Sequence, residues 1–293
     1  MQNHLGDALD KLRWARKHFE VLRSQIEPFE QRDAHSVSLK RHADVSEYVF
    51  YVHGLEVPDP DWGLMIGDCL HNARTALDYL IVRLYARVTG AEPRDIDSVQ
   101  FPIYREPKRF VGAVTELRKE SAFSGYLTRI EELQPFNNRN PSVWGVDEHG
   151  MPQNAPLPSA LDRLSLLDNV DKHRVVHAAW LGAVWGRGEG LEPPSDLTFV
   201  KSAVSAEPLV DGAEIGRYSF KPPLPVREWH PDEMDMKRRF PIEVAFDQPL
   251  PAKGVLEVLA FCLWGVEAVL ALFGPVFSHG APPLPVTAIL GSS

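Results

Sequence analysis

Apolar residues recur every three or four positions along much of the chain, which is the spacing of one helix face. This pattern predicts long helices from Asp7 to about Ile26, from Trp62 to about Val88 and from Lys253 to Phe273. A fourth long helix is predicted from Ser159, which would cap its N-terminus, to about Trp185. We expect Pro28 to lie just beyond the first helix.

Shorter elements separate the long helices. Alternating, β-branched and aromatic residues predict strands around Val37 and Leu39 and over residues 48–52, 197–204, 214–220 and 242–246. Two further helices are predicted over residues 107–119 and 123–133, and a short extended piece over residues 100–103. Ala43-Asp44 is a predicted hairpin turn between the first two strands, and Asp211-Gly212 is a predicted turn between the strands at 197–204 and 214–220.

Helices and strands do not alternate as a parallel sheet requires, so the predicted class is α+β. We expect a helical bundle of about four long helices with a small antiparallel sheet on one side. The prediction is a single domain over residues 1–275, with a long loop near 134–158 and a β-rich insertion near 195–248. Residues 276–293 are predicted to form a frayed tail.

Composition narrows the function classes only slightly. The formal net charge of −9 removes any argument from a broad basic surface for nucleic acid. The two cysteines, Cys69 and Cys262, lie among apolar residues and are predicted to be buried free thiols, as in a reducing cytoplasm. Residues 255–273 are long enough for a membrane span, but they include Glu257 and Glu267, so we expect a core helix and no membrane contact.

A polar cluster interrupts the second predicted helix. Its members share one side by helical spacing: Asp68, His71, Asn72, Thr75, Asp78 and Tyr79. They form either a solvated face or a site, and the short polar residues favour specific hydrogen bonds because they are poor helix formers. In the functional interpretation, Asp68 or Asp78 orients His71.

A second polar cluster falls in the fourth long helix. Apolar residues surround that helix almost completely, and its charged or imidazole residues are Asp168, Asp171, Lys172, His173, Arg174 and His177. Buried charges require partners, so the cluster indicates either an internal salt-bridge network or a polar pocket between helices. His173 and His177 have the spacing of metal ligands, but Arg174 stands where a metalloprotease has glutamate. We therefore predict no metal site and no cofactor.

These motifs also carry a resemblance. Residues 67–78, with Phe101-Pro102-Ile103 and Asp171-Lys172-His173-Arg174, resemble a group of uncharacterised bacterial proteins, and this resemblance implies no activity. A weaker similarity to HEPN-type helical domains implies a metal-independent ribonuclease with an Arg…His helix motif. Arg13 and His18 match that spacing, but on the first helix, and Arg174 to His177 is shorter.

The leading hypothesis is a non-catalytic or ligand-responsive cytoplasmic protein with one polar network between the two clusters. In it, Asp68, His71, Asn72 and Arg74 face Asp171, Lys172, His173 and Arg174. The candidate binding residues are Asp68, Asn72, Asp78, Asp171, Lys172 and His177. The expected partners are a small polar ligand or RNA, and a second copy of the chain.

Two enzymatic alternatives stay open. In a HEPN-like ribonuclease, a histidine would act as acid and base while an arginine stabilises the phosphorane charge. The candidate catalytic residues are His71, Arg74, His173 and Arg174. The other alternative is a metal-dependent hydrolase.

Overall fold

The computed structural model describes residues 5–32, 36–41, 47–91, 99–137, 145–146, 152–153, 157–173, 179–183, 198–204, 209–221, 242–246, 254–280 and 282–284. Long helices and antiparallel strand pairs confirm the predicted α+β class. Residue contacts divide the chain into two compact units. One comprises residues 1–22, 64–176 and 257–293, and the other comprises residues 23–63 and 177–256, which include the predicted β-rich segment.

The elements are numbered in chain order. The helices are α1 (Gly6–Glu30), α2 (Asp61–Thr89), α3 (Pro107–Ala113), α4 (Thr115–Arg118), α5 (Ser124–Glu132), α6 (Leu157–His173) and α7 (Val255–His279). The strands are β1 (Ser36–Arg41), β2 (Glu47–His53), β3 (Gly145–Val146), β4 (Pro152–Gln153), β5 (Ala179–Ala183), β6 (Thr198–Val204), β7 (Glu214–Lys221) and β8 (Ile242–Phe246). α1, α2, α6 and α7 are the four long helices that the sequence predicts.

The apolar spacing of α1 places Leu12, Ala15 and Leu22 in the core, as expected, whereas Leu9 is 41% exposed. The helix also continues through Pro28 to Glu30. The expectation that Pro28 lies beyond the helix is therefore wrong. Proline removes one intrahelical hydrogen bond and crowds the carbonyl four residues before it, and α1 ends two residues later, at Glu30.

The fourth long helix differs most from its prediction. α6 begins at Leu157 and ends at His173. Ser159 therefore lies inside the first turn of the helix and is not its N-terminal cap. Residues 179–183, predicted as helix, form strand β5, which pairs antiparallel with β8. A continuous apolar run fits a buried strand as well as a helix, and here strand pairing decides.

The core of the first unit includes a close contact between α6 and α7. Ala160 and Phe261 are fully buried together, and Trp264 stacks on Phe261 with ring centroids 5.9 Å apart. Gly265 faces Ala160 so closely that an added Cβ would lie 2.5 Å from the alanine Cβ. Glycine at position 265 therefore permits the two helices to approach.

α7 is long and apolar enough over Val255–Ser278 to cross a membrane by length and composition, and 67% of its most apolar window is buried. Of its glutamates, Glu267 forms an ion pair with Arg16 of α1. This burial and pairing favour the predicted core helix. The helix also extends to His279 with Val276 buried, so residues 276–279 do not belong to a frayed tail.

The second unit holds a four-stranded antiparallel sheet with the order β1-β2-β7-β6. Its predicted strands are confirmed, and the predicted hairpin turn at residues 43–44 lies outside the described residues. At the predicted turn before β7, Gly212 has φ 79°, a left-handed conformation that glycine adopts without a steric penalty. Strands β5 and β8 form a separate two-stranded ladder, and β3 and β4 form another in the first unit.

Candidate functional site

The polar cluster of α2 is not a uniform solvated face. Asp68 and His71 are exposed, whereas Asn72 and Arg74 are buried. The Asn72 amide donates to the Asp68 carbonyl and accepts from the Lys11 ammonium at 3.2 Å. The cluster therefore contains a wet part and a buried part, and the buried part makes the specific hydrogen bonds that short polar residues in a helix suggest.

Arg74 and Asp78 form a buried ion pair that holds the main chain of Phe101. The Arg74 guanidinium lies 3.2 Å from the Asp78 carboxylate, with side-chain exposures of 11% and 27%. Arg74 donates to the Phe101 carbonyl at 2.6 Å, and the Phe101 N–H donates to Asp78 at 2.9 Å. One turn of α2 thus satisfies both peptide groups of a residue outside regular secondary structure.

Gln134 holds the same segment from another side. Its amide nitrogen donates to the carbonyls of Pro102 and Ile130, at 2.8 and 3.0 Å, and its amide oxygen accepts the Tyr104 N–H at 3.0 Å. Gln134 is fully buried. Together with Arg74 and Asp78 it fixes residues 101–104, which we call the pinned segment.

The structure also joins the two polar clusters at one point. His71 Nδ1 lies 3.8 Å from the Asp168 carboxylate, with side-chain exposures of 54% and 3%. The carboxylate beside His71 is therefore Asp168 of α6. The expectation that Asp68 or Asp78 orients His71 is not what the structure shows, because Asp78 is engaged with Arg74 and Phe101.

The remainder of the second cluster cannot be compared with its prediction. Residues 174–178, with Arg174 and His177, lie outside the described residues, as do the side chains of Asp171, Lys172 and His173. The predicted contacts between this run and α2 stay predictions. Trp180 and Leu181, two of the apolar residues predicted to surround this helix, belong instead to strand β5.

A cleft of about 300 Å³ opens beside the pinned segment. One wall consists of residues 103–106 and Arg109, and the other of residues that α6 presents at helical spacing. The residues from α6 are Asp162, Ser165, Leu166 and Asn169. The pinned segment thus has its main chain held by Arg74, Asp78 and Gln134, while its end contributes to an open cavity.

The charges of the cleft form two unequal pairs. Arg105 makes two hydrogen bonds to the Asp162 carboxylate, at 2.5 and 2.9 Å, and these bonds raise the pKa of the guanidinium. Arg109 Nε lies 3.6 Å from Glu106, and both side chains are largely exposed. Asn169 Nδ2 lies 3.5 Å from the Ser165 hydroxyl.

None of the predicted catalytic residues lines the cleft as the structure describes it. No binding role was predicted for Asp162, Arg105 or Arg109. The Phe101-Pro102-Ile103 motif was a weak indication of the cleft, because it leads directly into the cleft wall. Asn169 directly follows Asp168 of the second polar cluster, but no role was predicted for it.

The other chemical candidates have ordinary surroundings. Arg13 forms an ion pair with Asp10 on the exposed side of α1, and the His18 ring packs edge-on against Trp14 at 5.5 Å. Within the described part of the chain, no group of three or more His, Cys, Asp or Glu side chains is placed to hold a metal ion.

Both cysteines are buried free thiols, as predicted. Burial raises the pKa of Cys262 to about 12, and it raises the pKa of Cys69 as well. The Cys69 thiol also donates to the Ala15 carbonyl at 3.4 Å. Since the reactive form of cysteine is the thiolate, neither thiol is a candidate nucleophile.

Comparison with models of protein families, with curated proteins and with solved structures gives no match to this chain.

Proposed function

We propose that this protein is a non-catalytic binding protein for a small polar molecule, which occupies the cleft between the pinned segment and α6. The observation that carries the proposal is the buried support behind the cleft. Arg74, Asp78 and Gln134 fix the main chain that leads into the cleft wall, and they do so with charged and amide groups that are costly to bury.

Such support is characteristic of a preorganised site. Binding residues need a rigid backbone because any freedom lost on binding reduces affinity. Main-chain hydrogen bonds from Arg74, Asp78 and Gln134 remove that freedom from residues 101–104. A loop without a site could be held by apolar packing alone, without the desolvation of an ion pair.

The size and chemistry of the cleft indicate a small ligand. Its volume of about 300 Å³ is at the lower end for small-molecule pockets. Its described lining offers guanidinium, carboxylate, hydroxyl and amide groups together with the apolar side chains of Ile103 and Leu166. Each carboxylate of that lining lies beside an arginine, Asp162 beside Arg105 and Glu106 beside Arg109. The ribonuclease and metal-hydrolase alternatives stay predictions.

The test compares how a panel of ligands stabilises the wild type and a variant whose cleft is filled. Amino acids, mono- and dicarboxylates and nucleosides are added to the purified protein, and the midpoint of thermal unfolding is recorded, since a ligand that binds only the folded state stabilises it. Ser165→Trp places a large ring in the cleft. Ser278→Trp makes the same change at an exposed serine of α7 outside the cleft.

We expect at least one panel member to raise the midpoint of the wild type and of Ser278→Trp, and to leave folded Ser165→Trp unchanged. Circular dichroism establishes that Ser165→Trp is folded. The proposal is wrong if no panel member affects the wild type, or if the stabilisation persists when the cleft is filled.

A further inference from the structure

We infer that the ligand of the cleft is a small zwitterion of the amino-acid class, with its carboxylate on Arg109 and its ammonium on Glu106. The inference rests on the proposed function of the cleft. It comes from the difference between the two charge pairs that line the cavity.

The first pair is already satisfied. Arg105 and Asp162 share two short hydrogen bonds, and bidentate pairs of this kind are the strongest that arginine makes with a carboxylate. Asp162 lies on α6 and Arg105 directly follows the pinned segment, so the pair links the two walls of the cleft. A ligand that displaced either member would lose both bonds, and this pair is therefore structural.

The second pair is available. Arg109 Nε lies 3.6 Å from the Glu106 carboxylate, and the two side chains are 71% and 66% exposed. An exposed pair at this separation contributes little to stability, so its members can exchange partners at small cost. A planar guanidinium can bind a ligand carboxylate through two parallel hydrogen bonds, and the Glu106 carboxylate can accept from an ammonium.

Charge balance selects a ligand that carries both signs. A simple anion bound at Arg109 would lie beside the Glu106 carboxylate, and a simple cation bound at Glu106 would lie beside the Arg109 guanidinium. Each arrangement brings like charges together, which is how a binding site rejects wrong partners. A molecule with adjacent carboxylate and ammonium groups meets an opposite charge on each side and leaves the cleft neutral.

The remaining lining accommodates the rest of such a molecule. The Ser165 hydroxyl and the Asn169 amide are separated by 3.5 Å, a long hydrogen bond that a polar side chain of the ligand can replace. Ile103 and Leu166 provide apolar contact. A cavity of about 300 Å³ suits a single amino acid better than a larger metabolite.

The test compares each common L-amino acid with its two singly charged analogues, the decarboxylated amine and the 2-hydroxy acid. Dissociation constants are measured by calorimetry on the full chain. We expect an amino acid to bind, and both analogues to bind about tenfold or more weakly, because each loses a hydrogen bond between charged groups.

Variants assign the two charges. Glu106→Gln should weaken binding of the amino acid and bring its affinity close to that of the 2-hydroxy acid. Arg109→Gln should bring the affinity for the amino acid close to that for the amine. Glu116→Gln is the matched control, because Glu116 also belongs to an exposed pair three residues apart, with Lys119, and lies outside the cleft. It should leave all three affinities unchanged.

The outcomes separate this inference from the proposed function. If an analogue binds the wild type as tightly as the amino acid, and Ser165→Trp abolishes that binding, the zwitterion class is wrong and the binding cleft stands. If neither amino acids nor analogues bind while another panel molecule does, the result is the same. If nothing binds the wild type, both proposals fall.

Discussion

Replacing Arg74 with methionine tests the physical account of the pinned segment. The substitution retains an unbranched apolar stem but leaves the Asp78 carboxylate without the guanidinium at 3.2 Å and the Phe101 carbonyl without its donor at 2.6 Å. Removing one partner of a buried ion pair costs about 3–5 kcal/mol. Asp78 is 27% exposed, so water compensates part of the loss and we expect about 3 kcal/mol.

Arg13 provides the matched control. It also pairs with an aspartate on its own helix, but the side chains of Arg13 and Asp10 are 75% and 63% exposed. Exposed pairs contribute about 0–1 kcal/mol, so Arg13→Met should change the free energy of unfolding by no more than that. Arg74→Lys should fall between the two, because an ammonium retains the charge but lacks the planar fork that serves two acceptors.

The measurement is urea unfolding followed by far-UV circular dichroism, with the slope against urea compared between variants. Arg74→Met should also weaken any ligand of the cleft, since the pinned segment would be loosened. Equal losses of stability for Arg74→Met and Arg13→Met would refute the reasoning, because the two pairs would then differ in burial without differing in energy.

Two further predictions concern the core of the first unit. Gly265→Ala should lower the free energy of unfolding by about 1–3 kcal/mol, because its methyl group would lie 2.5 Å from Ala160. Gly274→Ala in the same helix should not destabilise the protein, because no atom lies within 4 Å of the added methyl group. Equal effects of the two substitutions would show that the helices separate freely. Burial raises the pKa of Cys69 and Cys262 from the ordinary value of 9.0, so the unfolded chain loses these protons first and stability falls as the pH rises above that value. Each thiol lowers the free energy of unfolding by up to about 1.4 kcal/mol per pH unit in this range. The urea midpoint of the variant with both cysteines replaced by alanine should therefore decline less steeply with pH than that of the wild type, up to about pH 11. An unchanged decline would contradict the burial of the thiols.

The sequence predicted all four long helices because each carries an apolar stripe of helical period, but the end of a helix was predicted closely only where a clear stop signal follows it. α2 is an example, since the predicted and observed limits differ by one residue at each end. Strand β5 was missed for the opposite reason. Its residues 179–183 are apolar without a decisive period, and their partner β8 lies far along the chain.

The site was predicted only in part. The short polar residues of α2 indicated specific hydrogen bonds, and Asn72 and Asp78 make such bonds. Arg74 and Asp78, however, bond to main-chain atoms of Phe101, and no side-chain pattern reveals a main-chain partner. Gln134 was assigned to a loop, where a glutamine gives no sign that it is fully buried. The cleft arises from the meeting of two separate stretches, and periodicity within either stretch cannot show it.

The strand order of the main sheet has a consequence for biosynthesis. β2 pairs on one side with β1, which precedes it closely, and on the other side with β7, which is synthesised much later. Until residues 214–221 have left the ribosome, the second edge of β2 has no intramolecular partner, and an open β edge is a template for pairing between chains. The growing chain therefore passes through a long interval in which this edge of β2 is open to pairing with another chain.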